Sequence, residues 1–343
     1  MKKTAIVGQY GQGPSYVTGQ AVKTYFIARW MMKRFGPENV EIVNTYGWKK
    51  RPVGLMVSLV RAMLRCRNVI ILPAQHGVKV FAPLVAGLNR LFRRRTFYVV
   101  IGGWLADTLK GDKRLKKAVA AFDGVCAETE SLAEDLRRVG IQNAWYLPNC
   151  RDYAADPGEK DMSEPVRVCT YSRVTQTKGI EDAAAIVKKA NALLGKNVFF
   201  LEVYGGVAPE YKDAFDALCR ENGDVMGYMG VKNADEAVST LKDQFALLFP
   251  TYYEGECFAG TVLDAFSSRT PIIANDWKYN REVVIDGENG FLYPFRDTDA
   301  AAERLARLYR EKDTYRAIQA GCEQSARRYD SDRVLEALTS RMA

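Results

Sequence analysis

One histidine, His76, is all the imidazole in 343 residues. With no Cys cluster or His/carboxylate cluster beside it, no zinc site is expected. The seven cysteines are odd in number and scattered, and none forms a C-x-x-C pair. That argues against a disulfide framework and for a reducing compartment. Long hydrophobic runs are missing too. The stretch at residues 81–88 is among the longest, whereas a bilayer-spanning helix needs roughly 20 apolar residues. Met1-Lys2-Lys3 leads straight into a strand without an apolar leader segment, so a cytoplasmic location is expected. The chain has no low-complexity tract, no short repeat and no G-x-G-x-x-G fingerprint. No Asp-x-Asp stands at a strand end to hold a metal ion, so metal independence is expected.

Charge is plentiful but unevenly placed. The net charge is +8; residues 1–150 hold 24 Lys/Arg and 9 Asp/Glu, and residues 151–343 hold 25 and 32. The two parts thus carry +15 and −7, which suggests two domains facing two environments. Hydrophobic content of 48% and charged content of 26% are those of a soluble globular chain. The length suffices for two cores.

Short apolar runs predict strands at residues 4–7, 40–43, 69–72, 97–101, 124–127 and 144–147, with helices between them, among them 17–35 and one capped by Thr129 or Ser131. Residues 151–165 lack periodicity and carry Asp156-Pro157-Gly158 and Glu164-Pro165, the mark of a linker. Alternation then restarts, with strands at 167–171, 198–204, 225–229, 245–249 and 271–274, a turn-to-strand at 286–292, and helices at 178–194 and 234–241. Three helices close the chain at 299–310, 313–329 and 331–341. Strands alternating with helices predict an α/β fold of two doubly wound parallel sheets, which bind ligands at the C-terminal ends of their strands.

Residues 249–276 combine a strand end, an acidic loop with glycine, a helix beginning near Thr261 and a further strand. A helix N-terminus leaves backbone N–H groups unpaired and carries partial positive charge, which suits a phosphate. Glu256 and Asp264 bracket it in an acid-x7-acid spacing. A carboxylate can accept paired hydrogen bonds from the vicinal hydroxyls of a ribose or a hexose. Arg173 and Lys178 share the loop after the strand at 167–171, where they could neutralise a diphosphate leaving group. Gly8, Gly11 and Gly13 form a second turn from strand to helix near the start of the chain. Glycine there lets backbone approach a phosphate.

With Ser172-Arg173 through Lys178-Gly179, Glu256-Cys-Phe-Ala-Gly260 through Asp264, and Gly287-Glu-Asn-Gly290-Phe-Leu292, the sequence resembles glycosyltransferase family 4, retaining enzymes of the GT-B fold of the kind that build polysaccharides. The resemblance implies two Rossmann-like domains facing across a cleft, at residues 1–155 and 156–325, with a C-terminal helix at 326–343 crossing back to the first. It implies that Arg173 and Lys178 clamp the diphosphate, Glu256 reads the donor sugar and Asp264 the ribose. The amides of Phe258, Ala259, Gly260 and Thr261 would face sugar and phosphate, and Gly11 and Gly13 would lie in a loop that closes over the diphosphate. There are departures. Asp264 is one methylene shorter than the usual Glu, and Ala259 and Arg269 stand where Gly is common. Gly102-Gly103-Trp104 stands where a His is usual. His76 and Trp104 are alternative candidates for the site.

No acid/base pair stands out in the first domain, which fits a mechanism that stabilises charge on the departing diphosphate. The expected function is transfer of a sugar, with retention, from a UDP- or GDP-linked donor to a lipid-linked saccharide, with no cofactor. Basic residues of the first half, with Leu55, Leu59, Met63, Leu88, Leu91 and Phe92 among them, suggest docking at an anionic membrane face. No nucleic-acid motif accompanies the charge. Other readings on the same fold are a nucleotide-sugar epimerase, a phosphorylase, or a non-catalytic binding module.

Overall fold

A computed structural model describes residues 3–11, 18–153, 160 and 163–342. The chain divides into two compact units, Met1–Cys150 with Ser331–Ala343, and Arg151–Asp330.

The first unit holds strands β1 (Thr4–Gly8), β2 (Val40–Asn44), β3 (Asn68–Ile71), β4 (Arg95–Val99), β5 (Gly124–Ala127) and β6 (Ala144–Tyr146). They pair in the order β2-β1-β3-β4-β5-β6, all parallel. Its helices are α1 (Gly19–Phe35), α2 (Pro52–Arg65), α3 (Gln75–Phe92), α4 (Leu105–Gly111), α5 (Lys113–Ala120) and α6 (Glu130–Arg138). A strand covered on both faces is buried throughout, and β3 is: Asn68, Val69, Ile70 and Ile71 are all buried, the last three apolar.

The second unit holds β7 (Val166–Tyr171), β8 (Phe199–Tyr204), β9 (Met226–Gly230), β10 (Ala246–Phe249), β11 (Ile272–Asn275) and β12 (Gly290–Tyr293). Their order is β12-β11-β10-β7-β8-β9, again parallel. Its helices are α7 (Ile180–Leu194), α8 (Lys212–Glu221), α9 (Ala237–Lys242), α10 (Gly260–Ser267), α11 (Asn280–Val283), α12 (Thr298–Arg310) and α13 (Lys312–Arg328). Phe245, Phe199, Leu247, Ile272 and Ile273 are buried in its core. The Phe245 ring stacks on Tyr315 with centroids 4.5 Å apart.

The last helix, α14 (Ser331–Ser340), belongs to the first unit. Val334, Leu335 and Leu338 lie in that unit's core beside Ile27 and Met31 of α1. The Trp30 indole donates to Asp332 at 2.6 Å.

The sequence reading gives no bounds for the helix between the strands at 69–72 and 97–101, where α3 stands. Pro83 inside α3, with Gly77 and Gly87, hides the helix from propensity. His76 lies in the first turn of α3 and is exposed. The supposed linker is partly anchored. Arg151 bridges to Asp330, and the Tyr153 amide donates to the Asp330 carboxylate at 2.9 Å. Lys160 Nζ donates to the carbonyls of Leu241 and Lys242 at the end of α9.

Candidate active site

The C-terminal ends of β7 and β10, adjacent strands of the second unit, bring two polar loops side by side. From β7 the chain runs through Ser172 and the exposed Arg173 to Val174, which is fully buried and pins the loop down. Lys178 and Gly179 then lead into α7. Gly179 has φ +70°, and a β-carbon on it would lie 2.5 Å from the Pro250 carbonyl oxygen. Only glycine allows this approach of the two loops. The Tyr252 amide donates to Thr177 O at 2.9 Å and ties them together.

The loop after β10 places Glu256 within reach of Lys178, and the two form an ion pair. Their side chains are 14% and 9% exposed. The Thr251 hydroxyl donates to the same Glu256 oxygen, Oε2, at 2.9 Å, and Lys178 Nζ lies 5.3 Å from the Tyr253 ring centre. The sequence reading gave Lys178 to a diphosphate and Glu256 to a sugar as separate groups. The structure joins them in one buried pair, because the strands that present them are neighbours. Arg173 stands apart and makes no side-chain hydrogen bond or ion pair among the described residues.

Helix α10 begins beside this pair. Its N-cap, Ala259, has extended backbone and no side-chain acceptor for the first N–H groups. The Thr261 hydroxyl in its first turn is buried and without a hydrogen-bond partner among the described residues. Phe258 is buried, with its ring edge-on to Tyr329 at 4.8 Å. The unit thus presents an uncapped helix start, an unpaired hydroxyl, an exposed guanidinium and a lysine–glutamate pair. An anion flanked by hydroxyl-bearing groups matches that set.

Asp264, in the second turn of α10, is 7% exposed. Its Oδ1 accepts from Arg151 Nε at 2.8 Å. Burial pushes the Asp264 carboxyl up, and Arg151 opposes that rise through its charge and its hydrogen bond. The sequence reading placed Arg151 in a linker and missed this contact. The partners are far apart in the chain, and no local pattern links them.

In the first unit Gly11 is buried after β1, while Gly13 lies outside the described residues. Trp104 is 8% exposed and its indole donates to Ile101 O at 2.8 Å, so it anchors the loop after β4. The first unit also holds a buried ion pair. Lys23 of α1 and Glu128 after β5 pair at 2.5 Å, and both are buried. Glu128 also accepts from the Gly102 amide at 3.1 Å. Among the described residues no group of three or more His, Cys, Asp or Glu is placed to hold a metal ion. None of the described helices is long and apolar enough to cross a membrane.

Comparison with known proteins bears on the second unit first. Residues 156–324 match the family model described as glycosyl transferases group 1. A stretch of 75 residues is 35% identical to EpsD of Bacillus subtilis, covering 22% of this chain and 20% of that protein. A stretch of 76 residues is 36% identical to the phosphatidyl-myo-inositol mannosyltransferase of Mycobacterium leprae, covering 22% and 20%. The matches span about a fifth of the length of these relatives. Over the whole chain, the crystal structure of Anabaena HepE in complex with UDP superposes with a TM-score of 0.74 at 15% identity, covering 98% of this chain and 100% of that one. The fold is the two-domain α/β architecture called GT-B.

Proposed function

From the glycosyl transferases group 1 domain at residues 156–324, we propose that the chain is a retaining glycosyltransferase that moves a sugar from a nucleoside-diphosphate donor to a lipid-linked saccharide. The observation that carries the reading is the Lys178–Glu256 pair at the start of the uncapped α10. Negative charge grows on the diphosphate as the glycosidic bond breaks. Arg173, Lys178 and the α10 N-terminus meet that charge with fixed positive groups. Glu256 holds hydroxyls of the transferred sugar, and Asp264 those of the ribose. The acceptor hydroxyl attacks from the face the diphosphate leaves, and its proton goes to the departing phosphate oxygen. Arg173 and Lys178 supply the cationic charge, so the reaction needs no metal.

The donor class draws support from the HepE structure, whose bound ligand is UDP, and from related HepE crystals with UDP-glucose. The lipid-linked acceptor draws support from α2. Val53, Val57 and Leu64 are 75%, 62% and 61% exposed and lie on one helix face. Exposed Lys49, Lys50, Arg51, Arg61 and Arg65 flank them. Apolar side chains rimmed by cations suit an anionic bilayer surface.

A thermal-shift panel of UDP-, GDP- and ADP-sugars tests the donor, since a ligand of the native state raises the melting temperature by mass action. One base is expected to stand out. Assays with excess EDTA should leave turnover unchanged. If no sugar nucleotide raises the melting temperature, the reading is wrong.

A further inference from the structure

Asp264 is the shorter of the two acids in the motif, and it does not stand alone. Arg151 reaches it from the segment just after β6, at the first residue of the second unit. The ion pair is 10% exposed on each side. The same guanidinium lies against the start of α10: a β-carbon on Gly260 would sit 2.2 Å from Arg151 Nη2. Arg151 is itself fixed, since its amide donates to Tyr329 O at 3.2 Å and it bridges to Asp330. One cation therefore touches both the helix start and the acid one turn along it.

We propose that Arg151 is a donor-positioning residue, holding Asp264 ionised and in one orientation toward the ribose and adding positive charge at Gly260 beside the diphosphate. The proposal rests on the nucleotide-sugar reading of this site and extends it to a residue outside the motif. Its physics follows from burial. An aspartate deprived of water favours its neutral form unless a cation opposes the shift. Among the described residues, Arg151 is the charge that acts on Asp264. The Tyr171 phenol at the end of β7 is pushed up by burial and by the Asp264 charge. Helices α9 and α13 also pack on α10 and bring no charge to Asp264. A protonated Asp264 would have lost one acceptor for the ribose hydroxyls.

The sign follows directly. Without Arg151, the raised Asp264 carboxyl takes up a proton as pH falls, and nucleotide affinity falls with it. The probe is the best binder among UDP-, GDP- and ADP-glucose, whose diphosphates carry no group that titrates between about pH 5 and pH 8. Calorimetry over that range is expected to show a nearly flat profile for the parent chain. Arg151→Gln should bind about tenfold or more weakly at the acid end and recover toward pH 8. Arg151→Lys keeps the charge and loses the fork, so it should bind more weakly with a flat profile. Arg151→Gln combined with Asp264→Asn removes the titrating group, so its profile should be flat again. The double variant leaves no buried charge unpaired and serves if Arg151→Gln folds poorly. Parental affinity and a flat profile in Arg151→Gln, however far its melting temperature drops, would overturn the proposal. So would a pH dependence that survives in the double variant. A parent chain that binds none of the three sugar nucleotides sinks the donor reading itself, and this inference with it.

Discussion

At the scale of single residues, the Lys178–Glu256 pair raises a question that a single substitution cannot answer. Removing one partner of a buried pair leaves the other charge stranded, at a cost of roughly 3–5 kcal/mol in stability. Loss of activity in Lys178→Ala could then reflect damage to the loop. A paired replacement separates the two effects. Lys178→Ala is expected to lower the melting temperature and to cut kcat/KM at least tenfold, about 1.4 kcal/mol of transition-state stabilisation. Lys178→Met with Glu256→Gln should regain most of the stability, because the replacements approximate the volume and strand no charge. Its kcat/KM should remain at least tenfold below the parent's. Melting curves beside initial rates decide the matter, and a double variant that regained activity along with stability would reduce the pair to a strut. The sequence made Arg173, Lys178 and Glu256 legible as candidates because they stand in loops after predicted strands, and Asp264 through its acid-x7-acid spacing from Glu256. It could not show that Lys178 meets Glu256, nor that Arg151 meets Asp264, since each contact joins segments brought together only by the sheet.

At the scale of elements, strand positions were easy to read. Buried parallel strands are short apolar runs bounded by polar turns, and the stretches at 4–7 and 245–249 correspond to β1 and β10. Helices with mixed signals were harder, as Pro83 in α3 shows. The charge of the first half could be counted in the sequence, but its geometry could not. The Arg93-Arg94-Arg95 run looks like a free basic patch. Instead Arg93 closes α3 with φ 51°, Arg94 donates to Met63 O at 2.7 Å, and Arg95 donates to Arg341 O at 3.1 Å. Reversing those charges would disturb the unit and confuse any membrane assay. Helix α2 is the cleaner target. Binding to vesicles rich in anionic lipid should weaken steeply with salt, since exposed charge is screened beyond about 10 Å at 0.1 M. Val57→Asp with Leu64→Asp should reduce vesicle binding and leave sugar-nucleotide affinity alone, because Arg173, Lys178, Glu256 and Asp264 lie in the other unit. Flotation of parent and variant on neutral and anionic vesicles is the measurement. Equal binding to both lipids would count against the surface.

At the scale of the whole molecule, the chain leaves its first unit at Cys150 and returns to it at Ser331. The first unit is therefore built from two distant pieces of sequence, and the second from one. Helix α14 buries Val334, Leu335 and Leu338, and Met342 just beyond it is buried in the same core. A fully buried side chain of this kind contributes about 1.5–3 kcal/mol, so the four together rival the whole stability of a typical domain, about 5–15 kcal/mol. Losing them would also uncover the Trp30 edge and remove Asp332, the acceptor of its indole N–H. A chain ending at Asp330 is thus expected to lose the cooperative unfolding of the first unit while the second unit still melts as one. The second unit keeps its core, its six-stranded sheet and Arg151, Arg173, Lys178, Glu256 and Asp264. Residues 151–330 alone should accordingly fold and show measurable affinity for the favoured nucleotide. Differential scanning calorimetry of the parent, the chain ending at Asp330, and the 151–330 fragment separates the two transitions. If truncation leaves both transitions in place, α14 contributes little to the first core. If the fragment fails to fold, the second unit depends on more than its own residues, and the division at Cys150 and Ser331 is not a boundary of stability.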